Sequence, residues 1–106
     1  MKIGIDSYCY HRFYGEVYPD QEPAKKKMTM GDFLTRAQQL GVDGVSLESC
    51  FFESLEDSYI QELKAQLDEY GFDRVFAWGH PDGLERGKNE AAFRDMKACI
   101  PKAKRM

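Results

Sequence analysis

Apolar positions along this chain switch between a period of two and a period near 3.6, and they do so three times. Met1 to Ser7 (MKIGIDS) alternates: Ile3 and Ile5 are set against Lys2 and Gly4, and the run stops at polar Asp6-Ser7, which predicts a strand. So abrupt a start suits the central, buried first strand of a parallel sheet or barrel. From Thr29 to Leu40 the spacing is helical, with Met30, Phe33, Leu34, Ala37 and Leu40 on one stripe. Thr29 with Asp32 forms a capping pair, and Gly41 stands where a left-handed cap closes a helix. Val42 to Glu48 predicts a second strand. Ser58 to Tyr70 predicts a second helix, opened by Ser58 and Gln61, striped by Ile60, Leu63, Leu67 and Tyr70, and closed by Gly71. A third strand follows with Val75, Phe76 and Ala77 as its buried run. It ends in Gly79-His80-Pro81-Asp82-Gly83, where Pro81 lacks a backbone donor and the glycines permit tight turns. A third helix runs from about Asn89 onward with Ala92, Phe93, Met96 and Ile100 inward. Pro101 is expected to kink it, and Lys102, Lys104 and Arg105 suit its carboxyl end.

The last two units repeat. Gly41-Val42-Asp43-Gly44-Val45-Ser46-Leu47-Glu48 matches Gly71-Phe72-Asp73-Arg74-Val75-Phe76-Ala77-Trp78 at a spacing of about 30 residues, the size of a βα unit. The repeat aligns Glu48 with Trp78 and Cys50 with His80. Strand and helix therefore alternate three times within a single α/β domain spanning residues 1–106, with no Pro/Ser-rich linker and no low-complexity tract. Right-handed crossovers would place the helices outside a curving parallel sheet. Three such units amount to a partial barrel, the first three-eighths of a (β/α)8 TIM-type barrel, which runs to about 250 residues. Two sheet edges and an apolar interior would be left open, which calls for a second copy, as a homo-oligomer, or for the missing part of the barrel.

Ligands of parallel α/β folds bind at the carboxyl ends of strands. Glu48, Trp78 and His80 would share that rim with Asp6, Cys9 and His11. Glu48 can serve as a metal ligand, an acid or base, a hydrogen-bond acceptor for sugar hydroxyls, or a structural acceptor for the neighbouring loop. His80 can ligate a metal, bond a substrate oxygen or satisfy the Gly-Pro turn. Trp78 can offer its face to a sugar ring or pack in the core. Cys9 and Cys50 read as small buried thiols. The connection Tyr8 to Lys27 is far longer than the usual 2–6 residues. It carries Tyr8, Tyr10, Phe13, Tyr14 and Tyr18 around His11 and Arg12, so it reads as a pocket wall or lid, or as rings that pack the loop onto the body. Phe51-Phe52, in the loop Ser49 to Asp57, face a ligand or tuck beneath it.

Composition narrows the choice. With 106 residues, 42% hydrophobic and 31% charged, this is one globular domain. A net charge of −3 gives no electrostatic footprint for nucleic acid, and Lys25-Lys26-Lys27 is a solvated loop. No apolar run is long enough to span a bilayer, and the chain opens directly in a strand, so neither membrane nor signal peptide is expected. Three cysteines without paired spacing point to reduced thiols and a cytoplasmic location. There is no HExxH, no CxxC pair and no P-loop, and Arg86-Gly87-Lys88 is no phosphate loop by itself.

The opening KIGIDSYCY, the segment LGVDGVSLE and the third-strand FAWGHPDGL together are similar to the N-terminal part of the sugar phosphate isomerase/epimerase family. These are xylose-isomerase-like TIM barrels, distantly related to endonuclease IV-type repair barrels. The resemblance covers the whole chain but only the first three βα units of the family's barrel. It implies a sugar or sugar phosphate as substrate. It also implies a divalent metal (Mn, Mg or Zn) and proton abstraction next to a carbonyl through an enediolate. The family's metal ligands come from later strands, so no metal ligand is assigned here and this part alone is expected to be inactive. The resemblance carries Glu48 and His80 over as substrate-pocket residues, with Trp78 beside them and Tyr8, Tyr10 and His11 in the pocket wall. Other readings are a non-catalytic, self-assembling half-barrel, a lyase acting on glycosides, and an endonuclease IV-like repair protein. The last is opposed by two histidines and negative charge.

Overall fold

The backbone follows the expected alternation. Strand β1 covers Gly4–Asp6, helix α1 Met30–Leu40, strand β2 Gly44–Glu48, helix α2 Asp57–Tyr70, strand β3 Asp73–Ala77 and helix α3 Glu90–Arg105. Segments of 3-10 helix lie at Ser7–Tyr14, Ser49–Phe51 and Glu85–Gly87. The computed structural model describes residues 1–80 and 82–106; Pro81, expected to help stop the third strand, lies outside the described residues. The chain is mixed α/β, with one three-stranded parallel sheet in the order β1-β2-β3. Among the described residues β2 is thus the central strand and β1 an edge, contrary to the expectation of a central β1. Ile3, outside the ladder, is 57% exposed.

The helix ends behave as local chemistry dictates, with one correction. Thr29 Oγ1 accepts from Asp32 N–H and the Asp32 carboxylate accepts from Thr29 N–H, both at 3.0 Å, a complete capping box. Gly41 and Gly71 close α1 and α2 at φ 72° and 68°, where only glycine sits without strain. Ser58, expected to open α2, lies inside it instead: Glu56 occupies the cap position without a side-chain bond, and the helix begins at Asp57. Asp57 accepts from Lys102 at 2.8 Å and from Arg105, which ties the start of α2 to the end of α3.

Helix α3 buries a different stripe from the one expected. Ala92 and Cys99 are buried and Met96 partly so, whereas Phe93 and Ile100 are 45% and 61% exposed. The helix has two adjacent apolar stripes, and among the described residues it packs chiefly against α2. The ion pairs to Asp57 and the bond from Trp78 Nε1–H to Asp95 Oδ2 (2.8 Å) select the first. The helical run continues through Pro101 to Arg105.

The ladder decides which face of the sheet is covered. It pairs Gly4 with Gly44 and Gly44 with Asp73, then Leu47 with Phe76 and Glu48 with Ala77. Alternation puts Ile5, Val45, Leu47 and Phe76 on one face and Gly4, Asp6, Gly44, Ser46, Glu48, Asp73, Val75 and Ala77 on the other. Met30, Phe33, Leu34 and Ala37 of α1 and Leu63 and Leu67 of α2 pack on the first face, with Val45 and Leu47 among them. No helix covers the second face among the described residues, and Val75 there is 60% exposed. The buried Val75 expected from the sequence is therefore corrected, as is the apolar interior: this face is mostly glycine, small and polar.

The sequence repeat and the ladder differ by one residue. The repeat is spaced by 30, from cap Gly41 to cap Gly71, but the pairing offset is 29, so Glu48 pairs with Ala77 rather than Trp78. A slip of one exchanges faces. In the register adopted, Phe76 packs edge-on against Phe52 (ring centroids 5.4 Å apart) and is partly buried, while Val75 is left 60% exposed.

Low on the uncovered face the backbones come close. A Cβ on Gly44 would stand 2.9 Å from the Asp73 carbonyl oxygen and 3.2 Å from its Cβ. Lys2 Nζ and Asp73 Oδ2, 2.7 Å apart, bridge β1 and β3 beside this glycine. Gly44→Ala must push β2 and β3 apart and is expected to cost about 1–3 kcal/mol of unfolding free energy, read as a lower urea midpoint. A midpoint equal to the parent's would disprove the close approach.

Candidate functional site

Two buried serines set the upper rim. Ser7 follows β1 and its Oγ accepts from Glu48 N–H at 2.9 Å; Ser49 follows β2 and its Oγ accepts from Gly79 N–H at 3.3 Å. Each serine sits opposite the residue just before the N–H that it takes, so the same device is used twice and fixes how each following chain leaves the sheet. Asp6 caps the turn after β1 by accepting from Tyr8 N–H at 2.7 Å.

Above these strand ends lies a cavity of about 550 Å³ lined by Tyr8, Tyr14, Gly15, Glu16, Glu48, Cys50, Phe51, Gly79 and His80. One wall is aromatic: Tyr14 lies flat on Phe51 (4.4 Å, 4°), and Tyr8 stacks beside Phe51 at 6.1 Å. Gly79 lets the third strand end close to the second, since a Cβ there would meet Glu48 Oε2 at 3.2 Å and Cys50 Sγ at 3.6 Å. Glu48 accepts no side-chain or backbone hydrogen bond among the described residues. Burial, and then the charges of Asp6 and Glu16, raise its pKa above the usual carboxylate range. Partial desolvation of the sulfur first, then Glu48 and Glu16, pushes the Cys50 thiol up although the residue as a whole is exposed, and burial strongly raises the Tyr14 phenol. His80 Nδ1 accepts from Asp82 N–H at 3.1 Å. The neutral ring therefore carries its proton on Nε2, as a donor for a ligand oxygen.

Of the sequence-predicted site residues, Glu48, His80 and Tyr8 come together in this cavity. Trp78, Tyr10 and His11 do not line it. Trp78 follows the alternation of Phe76 toward α3, where it bonds Asp95 and stacks on His80 at 6.0 Å. Tyr10 packs edge-on against Phe33 of α1, which makes it part of the core margin. His11 holds the loop: Nδ1 contacts Tyr8 O at 3.0 Å and Nε2 contacts Gln21 Oε1 at 3.3 Å. The aromatic connection is thus a wall through Tyr8 and Tyr14 and a packing element through the rest. Cys9 and Cys50, expected buried, are exposed, and only Cys99 is buried.

Sequence reasoning missed Glu16 and read Gly79 only as a glycine of the turn that ends the third strand. Gly15 turns the chain at φ 95° after the Ser7–Tyr14 segment and brings Glu16 to the rim, where it accepts from Tyr8 Oη at 3.3 Å. The Gly-Glu pair carried no signal by itself. The Gly79 requirement appears only once Glu48 is placed beside it.

Among the described residues no three or more His, Cys, Asp or Glu side chains converge as a cation site. No described helix is long and apolar enough to cross a membrane. Comparison of the chain with protein-family models, with curated proteins and with solved structures finds no match.

Because folding raises the Glu48 pKa, this carboxyl contributes stability that is present below its unfolded pKa and lost as pH rises through its folded value. Glu48→Gln is therefore expected to have a higher urea midpoint than the parent at pH 7, with the gap closing by about pH 3 as both forms become neutral. A midpoint lowered at pH 7 would show instead that the carboxylate is held by favourable contacts.

Proposed function

We propose that these residues are the first three βα units of a TIM-type barrel of the sugar phosphate isomerase/epimerase kind. Such an enzyme acts on a sugar or sugar phosphate by removing a proton beside a carbonyl. Support for the barrel comes from the strand order. It is strictly sequential, and the helices pack on the same side, α1 against α2 and α2 against α3.

The observation that carries the function is the cavity at the strand carboxyl ends, where an aromatic wall faces Glu48 and His80. Glu48 would accept a sugar hydroxyl and His80 Nε2–H would donate to a ligand oxygen. The family's divalent metal would need ligands from outside this chain, so this chain's part is to wall and orient the substrate.

The open edges of β1 and β3, with Val75, Phe93 and Ile100 exposed, ask for neighbours. Five further βα units would supply them. Copies of this chain alone would not close an eight-stranded barrel, because three strands at a time give six or nine. That argues against a self-assembled barrel, though not against an open dimer.

In the complete barrel, Glu48→Gln and His80→Ala should each lower kcat/KM about 10- to 100-fold, the loss expected for one or two hydrogen bonds to ligand, with Tm changed by only a few degrees. Steady-state kinetics unchanged in both variants would remove these residues from the pocket.

A further inference from the structure

The charge around the cavity bears on which ligand it takes, given the sugar reading above. Glu48 and Glu16 line it, and Asp6 is close enough that its charge acts on Glu48. No lysine or arginine lines it among the described residues. The cations of the same loop lie elsewhere: Arg12 donates to Glu22 O at 2.7 and 3.0 Å, and Lys25 and Lys26 are exposed.

Among the described residues, the adjoining cavity behind the Tyr14–Phe51 stack brings a cation within reach of an anionic tail. It holds Lys27, but also Glu53. The start of α1, which opens beside it, is already filled by the carboxylate of Asp32 in the capping box. A helix start occupied by its own acidic side chain does not offer those N–H groups to a phosphate. A phosphate ester would therefore enter a field of two or three carboxylates with one shared lysine at its far side. A neutral polyol meets hydroxyl acceptors at Glu48 and Glu16, a donor at His80 Nε2 and flat aromatic faces, with no charge to oppose.

We propose that this cavity selects an unphosphorylated, polyhydroxylated ligand and excludes its phosphate ester. The selection is electrostatic: two carboxylates within the cavity repel a phosphate dianion more than hydroxyl bonding alone can offset.

The test is binding of D-fructose and of D-fructose 6-phosphate by the 106-residue chain at pH 7.5, followed by line broadening or shift perturbation of the Tyr8, Tyr14 and His80 resonances. The free sugar is expected to bind at least about tenfold more tightly than its phosphate at low salt, with the gap narrowing as salt is added. Glu16→Lys, at an exposed position on the rim, is expected to reduce or reverse the preference by tightening phosphate binding at least about tenfold, even as the free sugar loses one hydroxyl acceptor. Tighter or equal binding of the phosphate would overturn the selectivity and leave the sugar reading standing. Binding of neither would overturn the selectivity, which is claimed of this chain's own cavity, and leave the barrel reading to the kinetic test above. A preference unmoved by Glu16→Lys and by salt would overturn its electrostatic origin.

Discussion

The structure depends on how β2 is paired. Among the described residues, its Gly44, Val45 and Ser46 are the ones laddered on both sides, and the alternation of the strand sends Val45 and Leu47 into the helices and Ser46 and Glu48 the other way. Once that is set, α1 and α2 have one surface to cover and do so with fully buried Met30, Phe33, Leu34 and Leu67. The same alternation obliges the opposite face to be narrow and uncovered. Glycines at positions 4 and 44 and a small serine at 46 let the three backbones run close there, and leave Glu48 as the last inward side chain before the strand ends.

The candidate site is a consequence of that ladder. Glu48 reaches the cavity because it is in phase with Ser46, and Trp78 leaves it because it is in phase with Phe76. The two serines at the strand ends, Ser7 and Ser49, take the N–H groups of Glu48 and Gly79 and so anchor the backbone on which the cavity is built. The aromatic connection closes the other side, with His11 and Gln21 bracing it and Tyr14 flat on Phe51. Among the described residues, carboxylates gather at this rim without a basic partner. Burial first, and then these charges, raises the Glu48 pKa, and the charges are the basis for preferring an uncharged ligand.

Surfaces left open by the fold are as informative as those it covers. Val75, Phe93 and Ile100 are exposed on β3 and α3, and Ile3 and Leu40 are exposed beside β1 and on α1. Apolar groups placed so lose less by gaining a neighbour than by staying in water. Asp57, by contrast, is engaged by Lys102 and Arg105, which hold α3 to α2 and leave its second stripe outward.

What the sequence determined by itself was local. Spacing of apolar residues, the Thr29–Asp32 box and the glycines at 41 and 71 specify the alternation of strand and helix, because those signals act within a turn or two of chain. They also place Glu48 and His80 at strand ends. Tertiary structure alone decided the register, since a 30-residue repeat of caps is compatible with either face of β3. Only burial of Phe76 over Val75 selects between them. It likewise decided which stripe of α3 packs, that Tyr10 and His11 serve the loop and Trp78 the helix, and that Glu16 joins Glu48 at the rim. Each of these is settled by contacts between residues far apart in the chain, and such contacts leave no period in the sequence to read.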